Sequence, residues 1–475
     1  MTRSAIGVAV VLVSALASAG LASANALTLQ QTVAYALTHN PSIAAKQAAL
    51  AQAESTYTRQ HATELPPVVA SLQNVMEKQD NYGGTLAQYG VVPIPNFSQN
   101  TAQIGTQWTL YNGSLNQVLT QQYRRQVEAA RADLRQTQTQ TTARLVEMFF
   151  AIANWQHLFA LAQANLSYQQ ALLAVARAKE RTGLAAGVEV LRAEVSVEQT
   201  QVALLNAQAD EETAREALAQ TIGSSLETRF ATPAALPDPP LPGASTATLV
   251  AIAESNRPDI AVAVADVAIA QLSRATIDTD LLPQINVFAA FGNQTSPTGY
   301  VDQQNQLTQL NAECAHYPNN IECIGFPFPN VSRGTAGFWD IGATSTLSLP
   351  IIDYGTRSAA HRSANKAVES AQLALDSAKT AAEADVTESL RRAQTYQEAL
   401  VYQRRAVDLG VEAARIAQLQ YSNGLISLTD TKATQQTSLQ TQTDLFGAQI
   451  AYINAVVRLR SALGTFDPPS TVADL

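Results

Sequence analysis

The sequence predicts an α+β membrane protein in which tandem-duplicated long helical hairpins are interleaved with four β-strands. Three observations carry that expectation: an internal duplication, two very long proline-free runs, and short alternating segments beside prolines. The balance is acidic, with a formal net charge of −9, and only 15% of residues are charged. No basic patch points to nucleic acid, while abundant Ala, Gln, Thr and Ser suit long helices with a watery face.

Arg3, the apolar run Ile6–Leu16 and small residues leading to Ala24-Asn25-Ala26 form a secretory signal pattern over residues 1–26. Leu27 is then the expected mature start, with cleavage at Ala22-Ser23-Ala24 as an alternative. No cysteine follows either site, which argues against a lipid anchor. No later stretch reads as a spanning helix, so the membrane segments are expected to be β.

The duplication is the strongest signal. Asn40-Pro41-Ser42-Ile43 resembles Arg257-Pro258-Asp259-Ile260, an offset of 217 positions that also aligns Leu65-Pro66 with Leu282-Pro283. Downstream the offset becomes 241: Leu110 falls on Ile351, Glu147 on Glu388, Gly183 on Gly424, Glu189 on Asp430 and Gly223 on Gly464. The additional residues lie between Pro283 and Ile351, the segment that holds Cys314 and Cys323. A disulfide between those two cysteines is expected to staple one loop of an exported chain, with free thiols as the alternative.

No proline occurs from Asn96 to Thr232 or from Ile351 to Asp467, and both runs are rich in helix formers. Ala364, Ala367, Ala371, Ala374, Ala378 and Ala381 alternate spacings of three and four, a seam that lets helices approach closely. The helix expected from about Ser114 to Arg181 would be on the order of 100 Å long at ~1.5 Å per residue, too long for a compact globular domain. Gly183 and Gly424 supply the positive φ that a tight reversal needs. Each half is thus a hairpin with one arm about twice the other. The expected organisation is a first repeat over 27–223, a proline-rich linker over 224–246, a second repeat over 247–464 and a tail over 465–475.

Strand candidates sit between the helices. Ile285, Val287, Ala289 and Phe291 alternate with polar or small neighbours; so do Trp339, Ile341, Ala343, Leu347 and Leu349. In the first half Ile104, Thr106, Trp108 and Leu110 face away from Gln103, Gly105, Gln107 and Thr109, with a weaker partner strand after Pro67. Trp108 and Trp339 are placed near the strand ends that meet the helices, as an interfacial aromatic belt or as junction packing. Lengths near ten residues fit a transmembrane barrel, with a small soluble sheet as the alternative. Four strands cannot close alone, and open edges in lipid would cost several kcal/mol per unpaired group. Copies must pool strands: two would give a packed barrel, three a barrel of twelve with a lumen.

The ordered set Asn40-Pro41, Leu65-Pro66, Leu349-Pro350-Ile351-Ile352-Asp353-Tyr354-Gly355, Tyr421-Ser422-Asn423-Gly424 and Leu459-Arg460-Ser461-Ala462-Leu463-Gly464, duplicated in tandem, resembles the TolC-like outer-membrane efflux proteins. The resemblance covers nearly all of the mature chain. It implies a homotrimer whose twelve-stranded β-barrel sits in outer-membrane lipid and continues into a periplasmic α-barrel. It also implies a periplasmic adaptor (membrane fusion) protein and an inner-membrane pump or ABC transporter as partners. In such a tripartite efflux or type I secretion system the duct conducts passively. Drugs, metal ions, proteins and polysaccharides all use ducts of this type, so the cargo stays open.

Glu189 and Asp430 follow the two turns at equivalent positions. In a trimer they give rings of carboxylates that attract cations at a channel constriction; alternatively they are solvated acids favoured in the first turn of a helix. The resemblance favours the ring and adds Tyr421, which matches a tip tyrosine of the closed state. It departs at Ile426 and Ala433, where the family places an Arg and a second Asp of its closure network. Gly183 with Leu184, and Gly424 with Leu425, resemble the family's adaptor-contact motif; simple turn chemistry is the alternative, which explains the glycines but not both leucines. His39, His61, His157, His316 and His361 are scattered without metal-ligand spacing, and no nucleophile elbow or phosphate loop occurs. No enzyme activity, metal or cofactor is expected. The competing reading is a periplasmic coiled-coil adaptor or scaffold, which would leave the duplicated strand pairs unexplained.

Overall fold

The computed structural model describes residues 26–77, 97–233, 235–295 and 335–466. Nearly all of the signal segment, together with Cys314 and Cys323, lies outside the described residues. Leu29–His39 (α1), Pro41–Ala62 (α2), Val69–Glu77 (β1), Phe97–Asn112 (β2), Leu115–Arg181 (α3) and Gly187–Ile222 (α4) make the first half. Thr246–Asn256 (α5), Pro258–Ala275 (α6), a 3-10 turn at Thr276–Leu281, Gln284–Thr295 (β3), Thr335–Thr346 (β4), Thr356–Ser422 (α7) and Leu428–Ala462 (α8) make the second. The element orders match, and α3 and α7 are both 67 residues long.

Contacts divide the chain into two units. The sheet unit comprises the described residues of Leu50–Ala129 and Ala263–Ala374; the helical unit comprises those of Met1–Ala49, Ala130–Val262 and Leu375–Leu475.

In the sheet unit the four strands form one antiparallel sheet in the order β1-β2-β3-β4. Directly paired residues share a face. Leu72–Ala102, Ala70–Ile104–Phe291–Trp339, Thr106–Ala289–Ile341 and Trp108–Val287–Ala343 line an apolar face. Gln73–Thr101–Gln294, Gln103–Gly292, Gln107–Phe288–Gly342 and Thr109–Asn286–Thr344 line a largely polar one. Leu72, Ile104, Phe291, Trp339 and Ile341 are all exposed in the protomer. At the ends of the sheet, Trp108 donates its indole N–H to the Glu64 carbonyl at 2.9 Å, and Arg357 and His361 both reach Asp278.

Three expectations are corrected here. The alternation in β2 breaks at Leu110, where a register shift places Tyr111 opposite Ile285; a bulge inserts one residue and re-aims those after it. Leu347 and Leu349 lie beyond β4, whose ladder ends where Thr346 pairs with Gln284, the residue after Pro283. Trp339, paired with Phe291, stands nearer the Thr295/Thr335 end of its strand pair than the helix end.

In the helical unit, duplication is visible in the packing itself. Ala36, Leu145, Phe149, Leu218 and Ile222 form one core cluster, and their repeat equivalents Ala253, Val386, Leu390, Leu459 and Leu463 form another. Both clusters seat a short N-capped helix, α1 behind Thr28 and α5 behind Ser245. Gly223 and Gly464 terminate α4 and the segment after α8 with φ of 75° and 66°. At Gly464 a Cβ would come within 2.8 Å of the Asn256–Arg257 backbone, so only glycine fits. A third cluster, Val33, Val146, Phe150, Ile453, Val457 and Phe466, joins the halves. The linker is anchored where the Tyr452 hydroxyl donates to the Pro239 carbonyl at 2.6 Å.

Two helices, Leu115–Arg181 and Pro258–Leu281, do contain an apolar window long enough to cross a bilayer by composition, contrary to the sequence expectation. Only 33% of the window in Leu115–Arg181 and 11% of that in Pro258–Leu281 is buried within the protomer.

Candidate functional site

The two turns that close the hairpins are built alike. After α3 the Gly183 N–H bonds the Glu180 carbonyl at 2.9 Å and the Leu184 N–H bonds the Lys179 carbonyl at 2.8 Å. After α7 the Gly424 and Leu425 N–H groups bond Tyr421 and Gln420 at 3.0 and 2.8 Å. This pair of bonds ends a helix on a left-handed residue, and the φ values of 75° and 76° supply it. Nothing stands within 4 Å of a Cβ built at either glycine, so both positions face open space. Leu184 and Leu425, beside them, are 79% and 72% exposed.

The acids after the turns are held differently. Asp430 lies in the first turn of α8; Ser427 caps that helix, accepting the Asp430 N–H at 3.1 Å and donating its hydroxyl to Asp430 Oδ2 at 2.7 Å. The equivalent cap residue of α4 is Ala186, which makes no such bond, leaving the Glu189 side chain uncapped. Among the described residues no hydrogen bond or ion pair joins Glu189 to Asp430. Both acids occupy helix N-termini, where the backbone dipole favours negative charge.

Tyr421 is buried at 2% exposure, in a cluster with Leu172, Ala176, Val190, Ala193 and Leu428, one or more residues from each of α3, α4, α7 and α8. Burial raises the Tyr421 phenol above its ordinary value, and the nearby Glu189 charge adds to the rise. Its hydroxyl makes no hydrogen bond to the protein. Ile426, where the resemblance led to an Arg being expected, packs on the same cluster as an apolar side chain.

Sequence reasoning did not single out two lysines. Lys179 of α3 donates to the Tyr421 carbonyl, and its Nζ sits 3.9 Å from the Tyr421 ring centroid. Lys432 of α8 donates to the Arg192 carbonyl of α4 at 2.8 Å and to the Ser196 hydroxyl. Burial, then the positive charge of Arg192, draws Lys432 below the usual lysine range. The duplication places Gln420 and Leu191 at the equivalent positions, so repeat alignment carries no sign of them. Beside Lys432, Val188, Leu191, Val195, Arg192 and Thr429 line an open groove of about 540 Å³.

A family profile described as outer membrane efflux protein matches residues 32–224 and 249–465, the two repeats in turn. The pyoverdine export outer membrane protein OpmQ of Pseudomonas putida is 24% identical over 345 residues; the match spans 72% of this chain and 65% of that protein's length, slightly under two thirds. Among solved structures, the CmeC outer membrane channel of Campylobacter jejuni matches with a TM-score of 0.74 at 15% identity, over 93% of this chain and 86% of its own. The outer membrane protein VceC of Vibrio cholerae matches with a TM-score of 0.70 at 17% identity, over 92% and 96%. At such identities the likeness is one of fold.

Proposed function

The chain belongs to the outer membrane efflux protein family, and from that premise we propose that it is the exit duct of a tripartite efflux or type I secretion system, working as a homotrimer. The observation that carries this reading is the open sheet. Its apolar face is exposed, and among the described residues its outer strands β1 and β4 each have a ladder partner on one side only. In lipid such edges are costly, and joining β4 of one copy to β1 of the next removes them. Three copies close a barrel of twelve strands with the apolar face toward lipid and the polar face toward the lumen.

The mature chain then divides as two repeats, 27–223 and 247–464, joined by the 224–246 linker, with 1–26 removed on export and 465–475 as the tail. The helix turns form the periplasmic mouth. Three copies of Glu189 and of Asp430 put carboxylates around it, with Tyr421 in the wall behind them. Exposed Leu184 and Leu425, beside Gly183 and Gly424, supply apolar knobs for the periplasmic adaptor, which links the duct to its inner-membrane pump or ABC transporter.

Extraction and electrophoresis test the assembly: the mature protein should require detergent and run as an SDS-resistant trimer, and a stable monomer in plain buffer would defeat the proposal. Asp430→Ala and Glu189→Ala should weaken block of single channels by multivalent cations; an unchanged block rejects the ring. Leu184→Asp with Leu425→Asp should abolish cross-linking to the adaptor while the trimer persists.

A further inference from the structure

We propose that Lys179 and Lys432 form an asymmetric clasp that holds the two helical hairpins of one protomer together at their turn ends, and thereby sets the resting aperture. The inference rests on reading those turns as the mouth of the duct. Each hairpin contributes one lysine and each lysine bonds the other hairpin. Lys179 of α3 reaches the last turn of α7, where the Tyr421 carbonyl also receives the Gly424 N–H at 3.0 Å. That carbonyl lies at the negative end of the α7 dipole, a favourable place for an ammonium. The Tyr421 ring beneath the same ammonium adds a cation–π contact at 3.9 Å. Lys432 of α8 reaches back to α4, bonding the Arg192 carbonyl at 2.8 Å and the Ser196 hydroxyl.

Neither lysine has a carboxylate within ion-pair distance among the described residues, so both ammonium groups are committed to acceptors on the opposite hairpin. Moving one hairpin away from the other would release both at once. It would also open the cluster of Leu172, Val190, Tyr421 and Leu428 that lies between them. Ile426 and Ala433 stand at the two positions where the resemblance would place an Arg and a second Asp, so those positions supply no charge. The clasp uses neutral acceptors rather than ion pairs.

The test is single-channel conductance of the purified, SDS-resistant trimer in planar bilayers. Lys179→Met with Lys432→Met should raise resting conductance severalfold, each single Met variant should fall between, and Lys179→Arg, which keeps a cation over the ring, should stay near wild type. An assembled double variant conducting like wild type overturns the clasp. If the double variant does not assemble, single Met variants that assemble and conduct like wild type overturn it equally. A wild-type protein that forms no channel at all instead removes the duct reading, so the two failures are distinguishable.

Discussion

Phe288 occupies the space that a side chain at Gly342 would need. The two residues are directly paired across β3 and β4, and a Cβ at 342 would stand 2.4 Å from the ring's Cζ. The ring thus folds over a bare backbone on the otherwise polar face of the sheet, where Gln107 completes the row. Gly342→Val should displace it and destabilise the protein by about 1–3 kcal/mol. The urea midpoint of the detergent-solubilised trimer measures this, and a midpoint equal to wild type would show that the ring is free to move.

The two faces of the sheet should respond oppositely to charge. Phe291→Lys or Ile341→Lys places an ammonium on the apolar face and should cost about 2–4 kcal/mol near the bilayer midplane. Gln103→Lys and Thr344→Lys, on the polar face, should fold and insert nearly as wild type. Insertion yield into lipid vesicles separates the two sets; equal yields would contradict a lipid-facing apolar side.

Arg257 ties the start of α6 to α7. Its guanidinium, only 12% exposed, bonds Asp259 at 2.7 Å and Asp385 at 3.0 Å. Burial alone would raise the Asp259 carboxyl, but the hydrogen bond and charge of Arg257 outweigh it and leave the group below its ordinary value. A carboxyl depressed on folding stabilises above its unfolded pKa, and that stability is lost as pH falls through the folded one. Arg257→Met should therefore cost about 1–3 kcal/mol at neutral pH. The difference from wild type should shrink below about pH 4, where the carboxylates protonate. Melting curves against pH measure it, and a gap that stays constant into acid would refute the linkage.

Tyr421 acts through its ring and its carbonyl. Its hydroxyl bonds nothing in the protein, whereas the ring is buried and carries Lys179 above it. Tyr421→Phe should leave stability within about 0.5 kcal/mol of wild type. Tyr421→Ala should cost about 3–5 kcal/mol through the cavity it leaves. Chemical denaturation of both variants decides the point; a strongly destabilised Phe variant would reveal a role for the hydroxyl.

Much of the fold was legible because it is written in period and punctuation. The α3 boundary expected at Ser114 falls at Leu115, since helix formers run without proline until the Gly183 turn. The turn glycines, the strand pairs and the offsets of 217 and 241 reappear as equivalent hydrogen bonds and equivalent core clusters. Errors came where one residue changes register. The Leu110 bulge leaves the composition of the strand untouched, and β4 stops at Thr346, where its pairing with Gln284 ends, although the alternation runs on to Leu349. Trp339 stands toward the Thr295/Thr335 end for a different reason: its pairing with Phe291, not its residue type, fixes its height in the sheet.

Sequence by itself determined the class of protein: a duplicated helical hairpin with strand pairs that a single chain cannot close. Periodicity, proline and glycine are local properties, and local properties survive in one dimension. Tertiary structure alone decided which groups meet at the turns. It set Tyr421 beneath Lys179, joined Lys432 to the backbone of α4, and tied Asp430 to Ser427 while leaving Glu189 uncapped. Lys179 and Tyr421 are separated by 242 positions. A contact across that separation depends on how four helices pack, and no repeat or spacing encodes it.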